Sequence, residues 1–246
     1  MARSKNNLIA GLDIGSSSVR MAVGQLAYKN SDDLQGDIQI LGAVEAPAEG
    51  MHKGAISSIE DVVSSVSSCL EKMERTVGVP IDTVWVGVSG LHIMSQNSKG
   101  VVAVSKADSE ISEADVERSL EAARAISTPL NYEVLHVLPK RFSVDGQIGI
   151  KDPVGMTGIR LEVDAQIILG ASAQIKNLTK AIYRSGLEIE DLVLSILATS
   201  EAALTNRQKD LGVAIVDLGS STTSVAVYEE GEILHSTILP IGSEHI

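Results

Sequence analysis

The sequence predicts an α/β protein with a largely buried mixed sheet, two related lobes and a subdomain inserted into the first. Three features of its 246 residues lead there: a hairpin that occurs twice, helices and strands that alternate between the two occurrences, and a polar, Gly- and Pro-containing stretch that interrupts the alternation. The repeat carries most weight. Residues 8–23 (LIAGLDIGSSSVRMAV) and 212–227 (GVAIVDLGSSTTSVAV) are offset by 204 positions and agree at seven of sixteen, including Asp13 with Asp217 and Gly15 with Gly219. Such self-similarity implies two lobes built on one unit.

Each occurrence reads as strand, tight turn, strand. The first segment is a nearly continuous apolar run ending in Asp, as expected for a strand buried on both faces. Gly-Ser-Ser-Ser or Gly-Ser-Ser-Thr turns the chain, and an alternating β-branched segment returns. A third strand follows each hairpin, at 38–45 and 232–240, with Glu229-Glu230-Gly231 as the connecting turn of the second. Ser57 and Glu60 form an S-x-x-E capping pair; Ile59, Val62, Val63, Val66, Leu70 and Met73 then recur at helical spacing until Gly78 stops the helix. A strand is predicted at 83–88 and a helix at 112–126, acidic first and carrying Arg118 and Arg124 later, the order a helix dipole favours. Strands at 133–144 and 161–170, a helix at 172–185, a strand at 187–196 and a helix at 198–208 complete the alternation, which argues for α/β.

The stretch from 90 to 160 breaks this rhythm with Ser95-Gln96-Asn97-Ser98-Lys99-Gly100, Thr128-Pro129 and Lys151-Asp152-Pro153. Roughly seventy residues with their own helix and strands are too many for a loop. The predicted organisation is therefore 1–89 as the first part of one lobe, 90–160 as an inserted subdomain, 161–208 as the return to that lobe, and 209–246 as the beginning of a second.

Composition removes several functions. With 32 acidic and 20 basic side chains (net charge −12) and six aromatic residues, the chain lacks the cations and stacking platforms that nucleic acids require. The lone Cys69 makes no internal disulfide, which points to the reducing cytoplasm. Residues 1–8 show no signal-peptide core, and the longest stretch free of Asp, Glu, Lys and Arg, 83–98, is too short and polar for a bilayer core of about 30 Å. The five histidines, at 52, 92, 136, 235 and 245, have no metal-ligand spacing.

A buried strand that ends in Asp and turns through Gly-Ser-Ser presents consecutive backbone N–H groups and hydroxyls at the sheet edge, the donors a phosphate needs. The same residues are also the ordinary material of hairpins, so one such turn says little. Two facing each other would let Ser16, Ser17 and Ser18 grip a polyphosphate from one side and Ser220, Ser221 and Thr222 from the other. Asp13 and Asp217 would then share a cleft, where their repulsion calls for a cation. Mg²⁺ with its waters suits two carboxylates and phosphate oxygens. Arg20 has two readings: a phosphate partner or a solvated side chain on the returning strand.

These paired motifs resemble the phosphate 1 and phosphate 2 loops of the actin, Hsp70 and sugar-kinase superfamily, whose lobes are ribonuclease H-like. GMHKGAISSIEDVVSSV (50–66), WVGVSGLHIMSQNSKGVV (85–102), VLHVLPKRFSVDGQIGIKDPVGMTGIRLEV (134–163) and VAIVDLGSSTTSVAVYEEGEI (213–233) narrow the resemblance to the FtsA family of bacterial cell-division proteins. That resemblance implies an actin-like lobe with an inserted 1C subdomain plus the start of a second lobe, and ATP with Mg²⁺ as ligand. Asp13, Gly15, Ser16, Ser17 and Ser18 would form phosphate loop 1, and Asp217, Gly219, Ser220, Ser221 and Thr222 phosphate loop 2. It further implies filament formation, tethering of FtsZ filaments to the inner membrane face at the division site, and contacts of 90–160 with other divisome proteins. In the family the membrane is reached through a C-terminal amphipathic helix, which the chain does not contain.

Two departures bear on activity. Superfamily members that hydrolyse ATP briskly place a Gln or Glu at the start of the connecting helix to orient water. Ala198 falls there by alignment, with Glu201 one turn on, so slow or absent hydrolysis is expected. The chain also stops at Ile246 just after the second hairpin, which reads as an N-terminal fragment with weak or absent ATP binding and an exposed apolar face. Rival readings are a pilus-assembly scaffold of the actin-like type, a small-molecule kinase of the same superfamily, which would need a carboxylate base, and an Hsp70-like chaperone, whose insertion sits elsewhere.

Overall fold

The computed structural model describes residues 8–27, 37–104, 109–125 and 128–245. The N-terminal segment 1–7, the predicted helix end at 126 and Ile246 lie outside the described residues.

The first hairpin is β1 (Leu8–Ile14) and β2 (Ser18–Ala27), extended by β3 (Asp37–Pro47) into an antiparallel meander. A two-residue hairpin, β4 (Met51–His52) and β5 (Ala55–Ile56), leads into α1 (Ile59–Val77) and β6 (Thr83–Val88). The cap of α1 differs from the expected Ser57–Glu60 pair by one residue: the Ser58 hydroxyl accepts the Asp61 N–H at 3.4 Å, because Ser58 holds the extended backbone a cap requires. Gly78, at φ 74°, closes the helix in the left-handed conformation that favours glycine.

Next come β7 (Ile93–Ala103), α2 (Glu113–Arg124), β8 (Tyr132–Val144), β9 (Gln147–Ile150) and β10 (Arg160–Ala171). They form an antiparallel sheet of order β7-β10-β8-β9. Asp115 secures the start of α2 by accepting from the Ser112 N–H at 2.9 Å and hydroxyl at 2.6 Å, and its carboxyl is held down at about 2. The strand expected to resume the first lobe at 161 is instead the centre of this sheet. Its alternate residues Leu161, Val163, Ala165, Ile167 and Leu169 are buried under α2 and Ile168 packs against the second hairpin on the other face, so it has the pattern of a lobe strand without being one.

The chain re-enters the first lobe through α3 (Ser172–Arg184) and β11 (Glu188–Leu194). Its sheet has the order β11-β6-β1-β2-β3, with β11, β6 and β1 parallel. Helices α1 and α3 bury Val62, Val66, Cys69, Met73, Ile175, Leu178 and Ile182 against it, each side chain worth about 1.5–3 kcal/mol. The single helix expected at 198–208 is two, α4 (Ser195–Ala203) and α5 (Asn206–Leu211). Thr205 and Gln208 start a new capping box, exchanging bonds at 2.8 and 3.3 Å. The second hairpin, β12 (Val213–Leu218) and β13 (Thr223–Glu229), is extended by β14 (Glu232–Leu239) and followed by a 3₁₀ turn, Ser243–His245. Glu230 (φ 55°) and Gly231 (φ 85°) make the tight turn between β13 and β14. Among the described residues no helix is long and apolar enough to cross a membrane.

Candidate phosphate-binding cleft

The repeat is preserved in its hydrogen bonds. In the first turn the Gly15 N–H donates to the Ser18 carbonyl at 2.9 Å; in the second the Gly219 N–H donates to the Thr222 carbonyl, also at 2.9 Å. Asp13 lies on β1 opposite Arg20, and Asp217 lies on β12 opposite Ser224, the same register in both hairpins. Each turn is braced by chain leaving the third strand. Ala48 N–H reaches Ser17 O at 3.1 Å, while Ser243 and Glu244 N–H groups reach Gly219 O and Ser220 O at 2.9 and 3.0 Å.

The two turns meet around one cavity of about 260 Å³. Asp13, Gly15, Ser16, Ser17, Ser18 and Arg20 line it from the first hairpin, and Asp217, Gly219, Ser220, Ser221 and Thr222 from the second, so every residue expected to hold phosphate or cation borders this space. The Ser221 hydroxyl donates to the Ser16 hydroxyl at 2.7 Å across the cleft, and the Ser89 and Ser224 hydroxyls pair at 3.2 Å behind it. Serine and threonine residues therefore converge with two carboxylates around one pocket, a set suited to an anion accompanied by a cation.

Burial raises the Asp13 carboxyl pKa, opposed by a hydrogen bond from Ser195 and by Arg20, and the Asp217 carboxylate pushes it further up. The Asp217 carboxylate is the smallest of these four influences on Asp13. A hydrated Mg²⁺ fits this chemistry, since its waters can bridge to two carboxylates and it prefers phosphate oxygens as remaining ligands. Arg20 reconciles its two readings: its side chain is exposed and pairs with Glu45 at 3.4 Å, yet it also lines the cavity and favours ionised Asp13.

A wider trough of about 750 Å³ continues from Asp13, Arg20 and Asp217 across the face of the first sheet opposite α1 and α3. Gly11, Ala22, Ala43, Trp85, Gly87, Val193 and Ala198 line it. Sequence reasoning missed Gly54, Ser89, Ser195, Ser224 and Ser243 at the site; of these only Ser224 had a signal, its place in the repeated unit. Ser195 is the most consequential, because its hydroxyl donates to Asp13 Oδ1 at 3.1 Å. Glu201 turns away from this chemistry into an ion pair with Lys209 at 2.6 Å, and the buried Lys209 ammonium also sits 5.3 Å from the Tyr228 ring centroid.

A five-stranded mixed sheet with helices, an inserted sheet, and a second copy of the acid-tipped hairpin closing a polar cleft define an actin-like α/β protein. Over 96% of this chain and 62% of the other, the fold matches a solved structure of the "PilM-PilN type IV pilus biogenesis complex" with a TM-score of 0.66 at 14% identity, a likeness of fold alone. Residues 90–169 match the family model for the SHS2 domain inserted in FtsA. The chain is 39% identical over 243 residues to the cell division protein FtsA of Bacillus subtilis (99% of this chain, 54% of the relative). It is 36% identical over 239 residues to that of Pseudomonas aeruginosa (97% of this chain, 55% of the relative). The chain is thus similar to FtsA proteins over nearly its whole length, and it covers about half the length of these curated relatives.

Proposed function

We propose that this chain supplies the phosphate-gripping half of an ATP site in an actin-like cell-division scaffold. The observation that carries the reading is the meeting of two equivalent Gly-Ser turns and two carboxylates around one cavity. In it, Ser16, Ser17, Ser18, Ser220, Ser221 and Thr222 bind the polyphosphate through hydroxyls and turn amides, and Gly15 and Gly219 let the backbone approach. Asp13 and Asp217 hold the waters of Mg²⁺, which supplies charge neutralisation, while Arg20 offsets the remaining negative charge. Hydrolysis is slow or absent, because Ala198 offers no group to orient water and Glu201 is engaged by Lys209. The same absence of a carboxylate base speaks against a small-molecule kinase, and the FtsA relatives favour cell division over pilus assembly.

As a cell-division scaffold the protein tethers FtsZ filaments to the inner membrane face, self-associates, and contacts other divisome proteins through the inserted subdomain. It is peripheral to the inner membrane face at the division site. Two measurements test the reading. MgATP titration of the wild-type chain and of Asp217→Ala should show binding that the substitution weakens at least tenfold; equal binding by both would refute the site. Co-sedimentation of the full-length protein with FtsZ and vesicles should carry FtsZ down only when all three are present; FtsZ left in solution would refute the tether.

A further inference from the structure

Ser195 lies outside both repeated turns, on the first residue of α4, directly after β11. Its hydroxyl donates to Asp13 Oδ1 at 3.1 Å. The contact exists because β6 carries glycine at the crossing point: a Cβ on Gly87 would stand 2.8 Å from Ser195 Oγ and 3.0 Å from Asp13 Oδ1, closer than real side chains pack. Nothing in the backbone conformation demands glycine there, since Gly87 is not among the residues with positive φ. The space is used by the hydrogen bond. Arg20 and Asp217 line the same cavity as Asp13, the first favouring its ionised form and the second opposing it. One oxygen fixed by Ser195 leaves the other committed.

We propose that Ser195 is a positioning residue for the divalent cation: through the pocket that Gly87 leaves open, its hydroxyl fixes the Asp13 carboxylate so that the second oxygen faces the cleft. This rests on the reading of the cleft as a metal–nucleotide site. Because α4 continues through α5 into the second hairpin, the same residue ties the orientation of Asp13 to the segment that joins the lobes. A hydrogen bond to a charged group, partly exposed, is worth about a tenfold change in an equilibrium.

The test compares ATP affinity with Mg²⁺ and with EDTA in wild type, Ser195→Ala, Ser195→Thr and Gly87→Ala. In the wild type, Mg²⁺ tightens ATP binding. Ser195→Ala should remove about tenfold of that enhancement, weakening ATP binding more with Mg²⁺ than with EDTA. Ser195→Thr, which keeps the hydroxyl, should restore it, and Gly87→Ala should reproduce the loss by crowding the contact. A Ser195→Ala protein with the full Mg²⁺ enhancement overturns the proposal while the site reading stands; equal loss with and without metal makes Ser195 merely structural and overturns it too. A wild type whose affinity ignores Mg²⁺ overturns the site reading, and this inference with it.

Discussion

Gly242→Ala perturbs the second phosphate turn through its backbone, leaving every side chain that lines the cleft in place in the sequence. Gly242 is buried at the end of the chain leaving β14, and a Cβ there would lie 2.6 Å from the Ser221 amide nitrogen and closer still to the Ser220 carbonyl. Ordinary contact begins near 3.4 Å, and every crowded atom is backbone, so no side chain can swing aside. The turn must withdraw by about an ångström. Relief of such overpacking costs about 1–3 kcal/mol, and the Ser243–Gly219 and Glu244–Ser220 bonds that brace the turn contribute up to about 1 kcal/mol each. The expected loss is about 2–4 kcal/mol. Urea unfolding should show a lower midpoint at unchanged slope, and the amide resonance of Ser16, across the 2.7 Å hydroxyl bridge, should move. Gly11→Ala is the control, because its Cβ would meet nothing within 4 Å. If Gly242→Ala unfolds at the wild-type midpoint and leaves Ser16 unmoved, the buttressing of the cleft is refuted.

Three further outcomes follow from the same geometry. Glu201→Gln should lower stability by about 1 kcal/mol or more, by leaving the buried Lys209 without its carboxylate, while any residual ATP turnover stays unchanged; loss of turnover would make Glu201 catalytic. His136 Nε2 accepts the Leu194 N–H at 3.0 Å, and burial lowers the imidazole pKa against a smaller opposing pull from Asp191. The unfolded chain therefore binds that proton first, so stability should fall as pH drops below about 6.5, and His136→Gln should flatten this segment of the profile. Arg141 pairs with Glu230 at 2.6 Å, and Lys140 and Lys151 donate to the Leu234 and Glu230 carbonyls at 2.9 and 2.6 Å. Glu230→Lys should accordingly loosen the inserted sheet from the second hairpin, read as faster hydrogen exchange in β8 and β14; unchanged exchange would deny the docking.

Much of the site was legible in the sequence because it is local. Asp, Gly and Ser at a strand end encode turn, register and donors in eight consecutive residues, and a second occurrence fixed the partner. The Thr83–Val88 strand was equally readable, being short, apolar and β-branched. Long-range features were not. Strand β7 is polar because only part of it is buried: its partner β10 supplies the apolar contacts, and Gly100 lets the backbone of α2 press against it, so its sequence reads as a loop. The inserted sheet for the same reason runs to Ala171, beyond the expected boundary at 160. The break between α4 and α5 did have a local signal, Thr205 with Gln208, outweighed by the helix-forming residues around it. Ser195 had none, since its role depends on Gly87 and Asp13 from two other strands.

The central claim is that the two turns act as one receptor for a metal-bound polyphosphate. Its most direct measurement is an amide NMR titration of this chain with MgATP, following Gly15, Ser16 and Ser17 together with Gly219, Ser220 and Ser221. Both sets should shift with a single dissociation constant, and Asp217→Ala should weaken the response of the first turn as well as the second. Shifts confined to one turn, or two sets with unrelated affinities, would contradict it.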